Sequence, residues 1–412
     1  MSYTIEQQPS GYWGAYDKVT YRVYDDTNVG DAKYRYVAKI FWKTQVIATI
    51  KVLPNNNDRG IFEISRILQD QLIEDLPFNI DAPMTAANMS GDMAVQFYYE
   101  SAPDADSAPT ESALQVTSQT LRVLAGSFTL RTQNSNQTTT GNFAFNTVSP
   151  YLALSNYPSK FSNSTSNVPP TLMQRVRTKD YATMTVMRQN TLQFELRFLT
   201  SSYAQIGSTT LWNYTAQIGT ADNALHIPAG LQNFVEMGIS VPSNAAYYVI
   251  EYSPSIQRQM QWFKIEDDCK YEAVRFAWWN KYGGIDYINF YGASNESSKV
   301  QRHTYRTYGG NFFTAGTDAS DNAVILASDG VRSAGPTEVE TTMTANSGYI
   351  TEDEVPAVMD LVQSPRVWVY KNEAWQAVMI DENQVTKQTS LIDKTINYTI
   401  RFTFAKYANS VG

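Results

Sequence analysis

Two carboxylates held about 5 to 9 Å apart are enough to hydrolyse a glycosidic bond, so the acidic clusters are the first place to look for chemistry. Glu266, Asp267 and Asp268 follow one strand-like run, Asp286 lies in the aromatic stretch WWNKYGGIDYINF at 278–290, and Glu352, Asp353 and Glu354 form a third group. The third group reads as first-turn charge on a capped helix, where acids favour the helix dipole. Asp267 and Asp268 read as turn formers. Asp286 is left as the carboxylate on which a polysaccharide depolymerase would rest, and its partner is not visible in the sequence.

Other chemistry is sparsely provided for. The chain has no GxSxG elbow, GxxxxGK[ST] phosphate loop, HExxH or CxxC, the spacings that nucleophilic, phosphoryl-transfer and zinc chemistry require. His226 and His303 are the only histidines and stand far apart, so neither has a second imidazole at ligand spacing. Cys269 is the only cysteine and cannot form an internal disulfide; a free thiol without a base beside it behaves as a small hydrophobe. The segment from Asp104 has carboxylates at positions one and three of a calcium loop, but Pro109 stands where the loop needs Gly. Asn163-Ser164-Thr165 is one of several Asn-x-Ser/Thr tripeptides, which reflect composition rather than glycosylation when no secretion signal precedes them. The expectation is a chain without catalytic residues, metal ligands or a cofactor.

The elements that would position these residues are mostly strands. Val19, Tyr21 and Val23 oppose Thr20 and Arg22, Tyr34, Tyr36, Ala38, Ile40 and Trp42 oppose Lys33, Arg35 and Lys39, and VIATIKVL follows from Val46; period-2 patterning of this kind predicts a three-stranded meander. Ile61, Ile64, Leu68 and Leu72 then recur at helical spacing, predicting a helix over about 62–75. TLQFELRFL faces Leu192, Phe194, Leu196 and Phe198 one way, and TINYTIRFTF alternates strictly over ten residues from Thr395. Thr351 with Glu354 three residues on forms a capping box ahead of Val355, Val358, Met359 and Val362, predicting a second helix over about 352–363 that ends at Pro365.

The fold class expected is mainly β, with multi-domain antiparallel sandwich or barrel-like domains and two short helices. Three domains are expected: 1–78, a meander plus helix; 79–240, a central β domain with polar loops at 101–111 and 132–170; and 241–412, with an aromatic hairpin over 272–291 and the capped helix. Ser/Thr/Asn/Pro-rich runs bury too little apolar surface to form a core, so the two polar loops read as loops or arms that order against a neighbour. Within the hairpin, Asn280–Gly284 supplies the turn. Trp278 and Trp279 then point to opposite faces, which disfavours a two-tryptophan stacking platform.

Composition bounds the partners. The net charge is −8 with few charged residues, 17%, and 27 tyrosines. Phosphate-backbone binding needs clustered Lys and Arg, so nucleic acid is an unlikely partner. No run is long and apolar enough to span a bilayer, and the opening MSYTIEQQPSGYWG carries no secretion signal. Low charge with many tyrosines points to extensive protein–protein contact, with Trp278, Trp279, Tyr282, Tyr287 and Tyr291 as candidate interface residues.

Several segments, in this order, resemble a family of virion structural proteins encoded among the tail and baseplate genes of tailed bacteriophages and prophages of the Bacteroides group. They are FWKTQVIATIKVLPNNNDRGIFEISRILQDQL near the start, LQFELRFLT in the middle, CKYEAVRFAWWNKYGGIDYINFYG around 280, SGYITEDEVPAVMDLVQSPRVWVY, and the terminal INYTIRFTFA. The resemblance implies a non-enzymatic tail component located in the virion, a ring, hub or baseplate subunit that forms a homo-oligomer and docks other virion proteins; it brings no catalytic residues. The alternative reading is an attachment protein that binds host-surface glycan through aromatics such as Trp13, Trp212 or Trp279. The final alternating strand is expected to be free to pair with a neighbouring subunit.

Overall fold

The computed structural model describes residues 3–72, 80–85, 88–127, 152–157, 160–162, 169–187, 192–214, 224–252, 258–266, 271–307, 331–381, 395–405 and 408–410. The chain is β-rich and multi-domain, as its periodicity predicts, with several mostly antiparallel sheets and three short helices among the described residues. Backbone proximity groups it into two units. One comprises 1–268, 277–288 and 353–365; the other comprises 269–276, 289–352 and 366–412.

The first unit opens with two sheets. Gly11–Gly14, Leu121–Leu124, Ser90–Ala102, Ala32–Trp42 and Gln45–Val52 lie side by side in that order, and Thr4–Gln7, Thr20–Tyr24 and Arg59–Glu63 form a smaller sheet. The expected meander is therefore divided. The Thr20–Tyr24 strand pairs with Arg59–Glu63, while Ala32–Trp42 pairs with Gln45–Val52 in the other sheet. Alternation fixes which side chains face inward but not which strand is the neighbour, and here the inward sets meet across sheets. Tyr21 and Phe62 each bring their rings within 6 Å of Phe97, at 5.8 and 5.6 Å, and Tyr3 meets Tyr36 at 5.7 Å. Burying each such aromatic stabilises the fold by about 1.5–3 kcal/mol.

The helix expected over 62–75 is shorter. Ile61 and Phe62 belong to the Arg59–Glu63 strand, and α1 spans Ser65–Gln69; residues 73–75 lie outside the described part. Ser65 fixes where the helix begins, donating its hydroxyl to Asp17 O at 2.8 Å and accepting the Val19 amide at 2.9 Å. Leu68 and Leu72 remain on the buried face.

Two further sheets follow in this unit. One orders Leu152–Ala153, Thr183–Met187, Ala224–Pro228 and Met84–Thr85; the other orders Lys160–Ser162, Arg258–Ile265, Tyr247–Tyr252, Leu192–Leu199 and Gln205–Tyr214. Phe194, Leu196 and Phe198 are buried on one face of their strand as expected, but Arg197 and Leu199 on the opposite face are buried too. Arg197 is neutralised there by Glu251 at 2.6 Å, with Met260 Sδ at 3.3 Å. A second helix, α2 (Leu231–Glu236), has no counterpart in the sequence reading. At six residues it is too short for its periodicity to stand out.

In the second unit, Val367–Lys371, Ala374–Ile380, Thr395–Phe404, Val331–Thr351 and Asn295–Thr307 are hydrogen-bonded in that order, with Ala408–Ser410 also on Val331–Thr351. The Thr395–Phe404 strand, expected at a free edge, is instead interior. It pairs with Ala374–Ile380 on one side and Val331–Thr351 on the other. Its alternating apolar set, Ile396, Tyr398, Ile400, Phe402 and Phe404, is buried, and Phe276 packs edge-on against Phe402 at 5.3 Å and Phe290 at 4.9 Å. The edge belongs to Asn295–Thr307.

Candidate functional site: a buried carboxylate clasp

The hairpin formed by Val274–Trp279 and Ile285–Phe290 supplies the residues singled out by the sequence, and its turn is built from side chains that leave little freedom. The Asn280 carboxamide oxygen accepts the amides of Tyr282 and Gly284 at 2.9 and 3.0 Å, while its nitrogen donates to Leu154 O at 2.9 Å. Gly283 sits at φ +82°, and a Cβ there would lie 1.1 Å from the carbonyl oxygen of Ala125. At Gly284 a Cβ would lie 1.8 Å from Leu154 O. Turn and neighbouring backbone touch directly, which glycine alone permits.

Asp286 extends from this hairpin into a sealed cluster. It is 1% exposed; its carboxylate accepts the Ser155 hydroxyl at 2.5 Å, the Asn156 amide at 2.8 Å and the Asn156 side-chain nitrogen at 3.0 Å. The same Asn156 nitrogen donates to Asp360 at 2.6 Å. Asp360 lies on α3 (Val355–Gln363) and also accepts Trp278 Nε1 at 2.9 Å. Thus the carboxylate partner that the sequence does not reveal is Asp360, and an amide joins the pair. Burial, with the nearby Asp360 charge adding to it, outweighs these hydrogen bonds and pushes the Asp286 carboxyl up to about 6.

The helix carrying Asp360 is anchored at both ends. Glu354 precedes its first residue and meets Arg175 at 2.8 Å, and Ser364 donates to Trp279 O at 2.8 Å. The expected cap, Thr351, is instead the last residue of the Val331–Thr351 strand. The helix therefore begins later than 352. Its three β-branched valines and Pro356 do not prevent it, because proline is accommodated in the first helical turn.

Each candidate interface residue can now be placed. Trp278 and Trp279 are buried and engage different surroundings, as opposite-facing neighbours must: Trp278 reaches Asp360 and Trp279 joins the aromatic core around Tyr21 and Phe97. Tyr287 is buried, sharing a 2.7 Å hydrogen bond with Thr183, and its carbonyl accepts Tyr157 at 3.0 Å. Only Tyr282 and Tyr291 are half-exposed. A fully covered ring offers no area to another molecule, so Trp278, Trp279 and Tyr287 are corrected from interface to core.

Among the aromatics of the glycan reading, Trp279 is buried. Trp13 is half-buried against the core, donating to Lys18 O at 3.2 Å. The Trp212 and His303 side chains, Asp267, Asp268, Cys269 and Asn163 lie outside the described part. Asp104 closes its own turn, accepting the amides of Asp106 and Ser107 at 3.0 and 2.6 Å. His226 is wholly buried; its Nδ1 lies 3.1 Å from Thr185 Oγ1, and burial lowers the imidazole to about 4.

Sequence reasoning missed Ser155 and Asn156, which fall within the polar loop expected at 132–170. The described part of that stretch buries Leu154 and Tyr157. The spacing of Leu152, Leu154 and Tyr157 was the available signal. Chemically, the arrangement keeps two carboxylates away from bulk water and gives each a donor, which suits holding three segments together better than reacting with a substrate.

The fold and this cluster define a multi-domain β protein whose acidic centre is internal. No family profile matches the chain, and no curated protein matches it. Among solved structures, the calcium binding domain CBD12 of CALX1.1 is similar over 65% of this chain and 83% of its own, at 8% identity and a TM-score of 0.19. A chimeric titin Z1Z2 follows at 12% identity and a TM-score of 0.14, covering 65% and 98%. Squid arrestin gives 8% identity and a TM-score of 0.17, covering 65% and 94%.

Proposed function

We propose that this chain is a non-enzymatic structural subunit of a bacteriophage tail, a ring, hub or baseplate component that assembles with copies of itself and docks other virion proteins. The observation that carries this reading is the fate of Asp286. The carboxylate singled out for a depolymerase, Asp286, is covered, held by Ser155 and Asn156, and tied through Asn156 to Asp360. A hydrolase carboxylate must reach a glycosidic oxygen, and a side chain 1% exposed does not.

Two further observations support the reading. The segments whose order resembles tail proteins, around 280 and around 355, supply Trp278, Asp286 and Asp360 to one cluster. Tyrosines are many and charges few, as in proteins that spend their surface on contacts.

The test is localisation and assembly. The full chain, purified, should form homo-oligomers by size-exclusion with light scattering, and antibodies to it should label tails of the phage particle in electron micrographs. Reducing-end release from host polysaccharide by the purified chain would overturn the proposal, as would its absence from purified particles.

A further inference from the structure

The end strand of the second unit, Asn295–Thr307, is exposed in an unusual way. Every residue from Asn295 to Arg302 is exposed, including Val300 at 43%. In a strand successive side chains point to opposite faces, so neither face of this run is covered. It pairs with Val331–Thr351 and, among the described residues, with no other strand. As the outer strand of its sheet it presents a row of backbone N–H and C=O groups that no described strand pairs, a ready template for another strand. No proline interrupts the run from Asn295 to Arg302, and the first irregularity in its pairing falls between Arg302 and Thr304.

Its charges are arranged symmetrically. Glu296 and Arg302 stand three residues either side of Lys299. Lys299 is matched by Glu340 on the paired strand, at 3.8 Å. Arg302 has no carboxylate partner among the described residues. Two copies of this strand can lie antiparallel edge to edge about a two-fold axis perpendicular to the sheet, which keeps residues of like parity opposite one another. With Lys299 on that axis, Glu296 of each copy faces Arg302 of the other. Ser297 then faces Gln301, and Ser298 faces Val300.

We propose that Asn295–Arg302 is a self-association edge, and that its occupant is the same strand of a second copy, paired antiparallel and centred on Lys299. This rests on the reading of the chain as an assembling subunit and names the surface through which two copies join. The new ladder would give the exposed backbone groups partners and place two opposite-charge pairs directly across from each other, which stabilises; on the axis Lys299 faces its own copy, and each of these lysines is matched within its chain by Glu340. Glu296 also pairs with Lys371 of its own chain.

The test is charge reversal on the full-length chain, read by sedimentation equilibrium. Wild type should dimerise. Glu296→Lys sets two Lys–Arg pairs across the interface and should weaken dimerisation at least tenfold; Arg302→Glu should weaken it similarly through two Glu–Glu pairs. An equimolar mixture of the two variants should regain the wild-type affinity, because each chain then faces its complement at both positions. The Glu296→Lys/Arg302→Glu double variant should also recover. Recovery on mixing separates pairing from a loss of folding. A monomeric wild type, unchanged dimerisation in the single variants, or no recovery on mixing would each overturn the inference. If the Glu296→Lys chain still enters tails and forms rings, the edge proposal falls while the structural reading stands; if wild-type chain is missing from particles, that reading falls first.

Discussion

Asp286 and Asp360 are joined through a single donor, the side-chain nitrogen of Asn156, which lies 3.0 Å from one carboxylate and 2.6 Å from the other. The pair thus depends on a residue more than a hundred positions away from either. Removing the amide should be felt by both acids at once.

Asn156→Ala is expected to destabilise the fold by about 2–3 kcal/mol, since it removes one donor from each of two buried carboxylates. The loss should be larger at pH 8 than at pH 5, because a buried carboxylate that has lost a donor costs most when ionised. Urea unfolding at the two pH values measures this, and an equal loss at both would show that the amide matters only as packing.

Asp286 makes its own contribution to the pH dependence. Its folded carboxyl titrates near 6 instead of the ordinary 3.8, so between those values the unfolded chain releases its proton while the folded chain keeps it. Stability from this group is therefore greatest below pH 3.8 and falls as pH rises toward 6, by about 3 kcal/mol. Asp286→Asn should abolish that decline.

His226 acts in the opposite direction. Burial lowers its imidazole from 6.5 to about 4, so the folded state resists protonation that the unfolded state accepts, and stability is lost as pH falls from 6.5 through 4. The two windows overlap, and wild-type stability should change little between pH 4 and 6.5 on account of this pair. In Asp286→Asn the His226 slope emerges, with stability rising with pH; in His226→Gln the Asp286 slope emerges, with stability falling. Thermal melts across this range with both variants test the cancellation.

Gly283→Ala should cost roughly 3 kcal/mol or more, combining a positive φ with a Cβ 1.1 Å from Ala125 O. Gly207→Ala is the control. Gly207 also has positive φ, +67°, but nothing lies within 4 Å of its added Cβ, so its cost should be about 1 kcal/mol. Comparable losses would mean the close approach at 283 is easily relieved.

Arg197→Met leaves Glu251 charged and buried, and should destabilise by about 3–5 kcal/mol. Combining it with Glu251→Leu should restore most of that loss, since a well-packed apolar pair often replaces a buried ion pair at little cost. Chemical denaturation of the single and double variants decides whether the pair stabilises or only neutralises itself.

Periodicity made the inward faces legible. Tyr21, Tyr36, Ile40, Phe194 and Phe402 are all buried on the faces that alternation assigns them. Partnership was not legible, because alternation carries no information about the neighbour: Thr20–Tyr24 joins a different sheet from Ala32–Trp42, and Thr395–Phe404 is interior. The burial of Arg197 was not legible either, because a buried charge is recognisable only once Glu251 is beside it. The site was half legible. Asp286 stood out by its aromatic setting, whereas Asp360 looked like one more polar residue on an amphipathic helix, and Asn156 lay in a stretch whose composition suggests a loop.

The helix at 355–363 belongs with the first unit although residues 269–276 and 289–352 of the second precede it in the chain. A ribosome that has delivered everything up to residue 340 has made Asn156 and Asp286 but not the acid they await. A stop codon anywhere between residues 289 and 352 should therefore damage the Asp286 cluster although its other members are already made, and a fragment meant to isolate the first unit must carry the 353–365 segment with it.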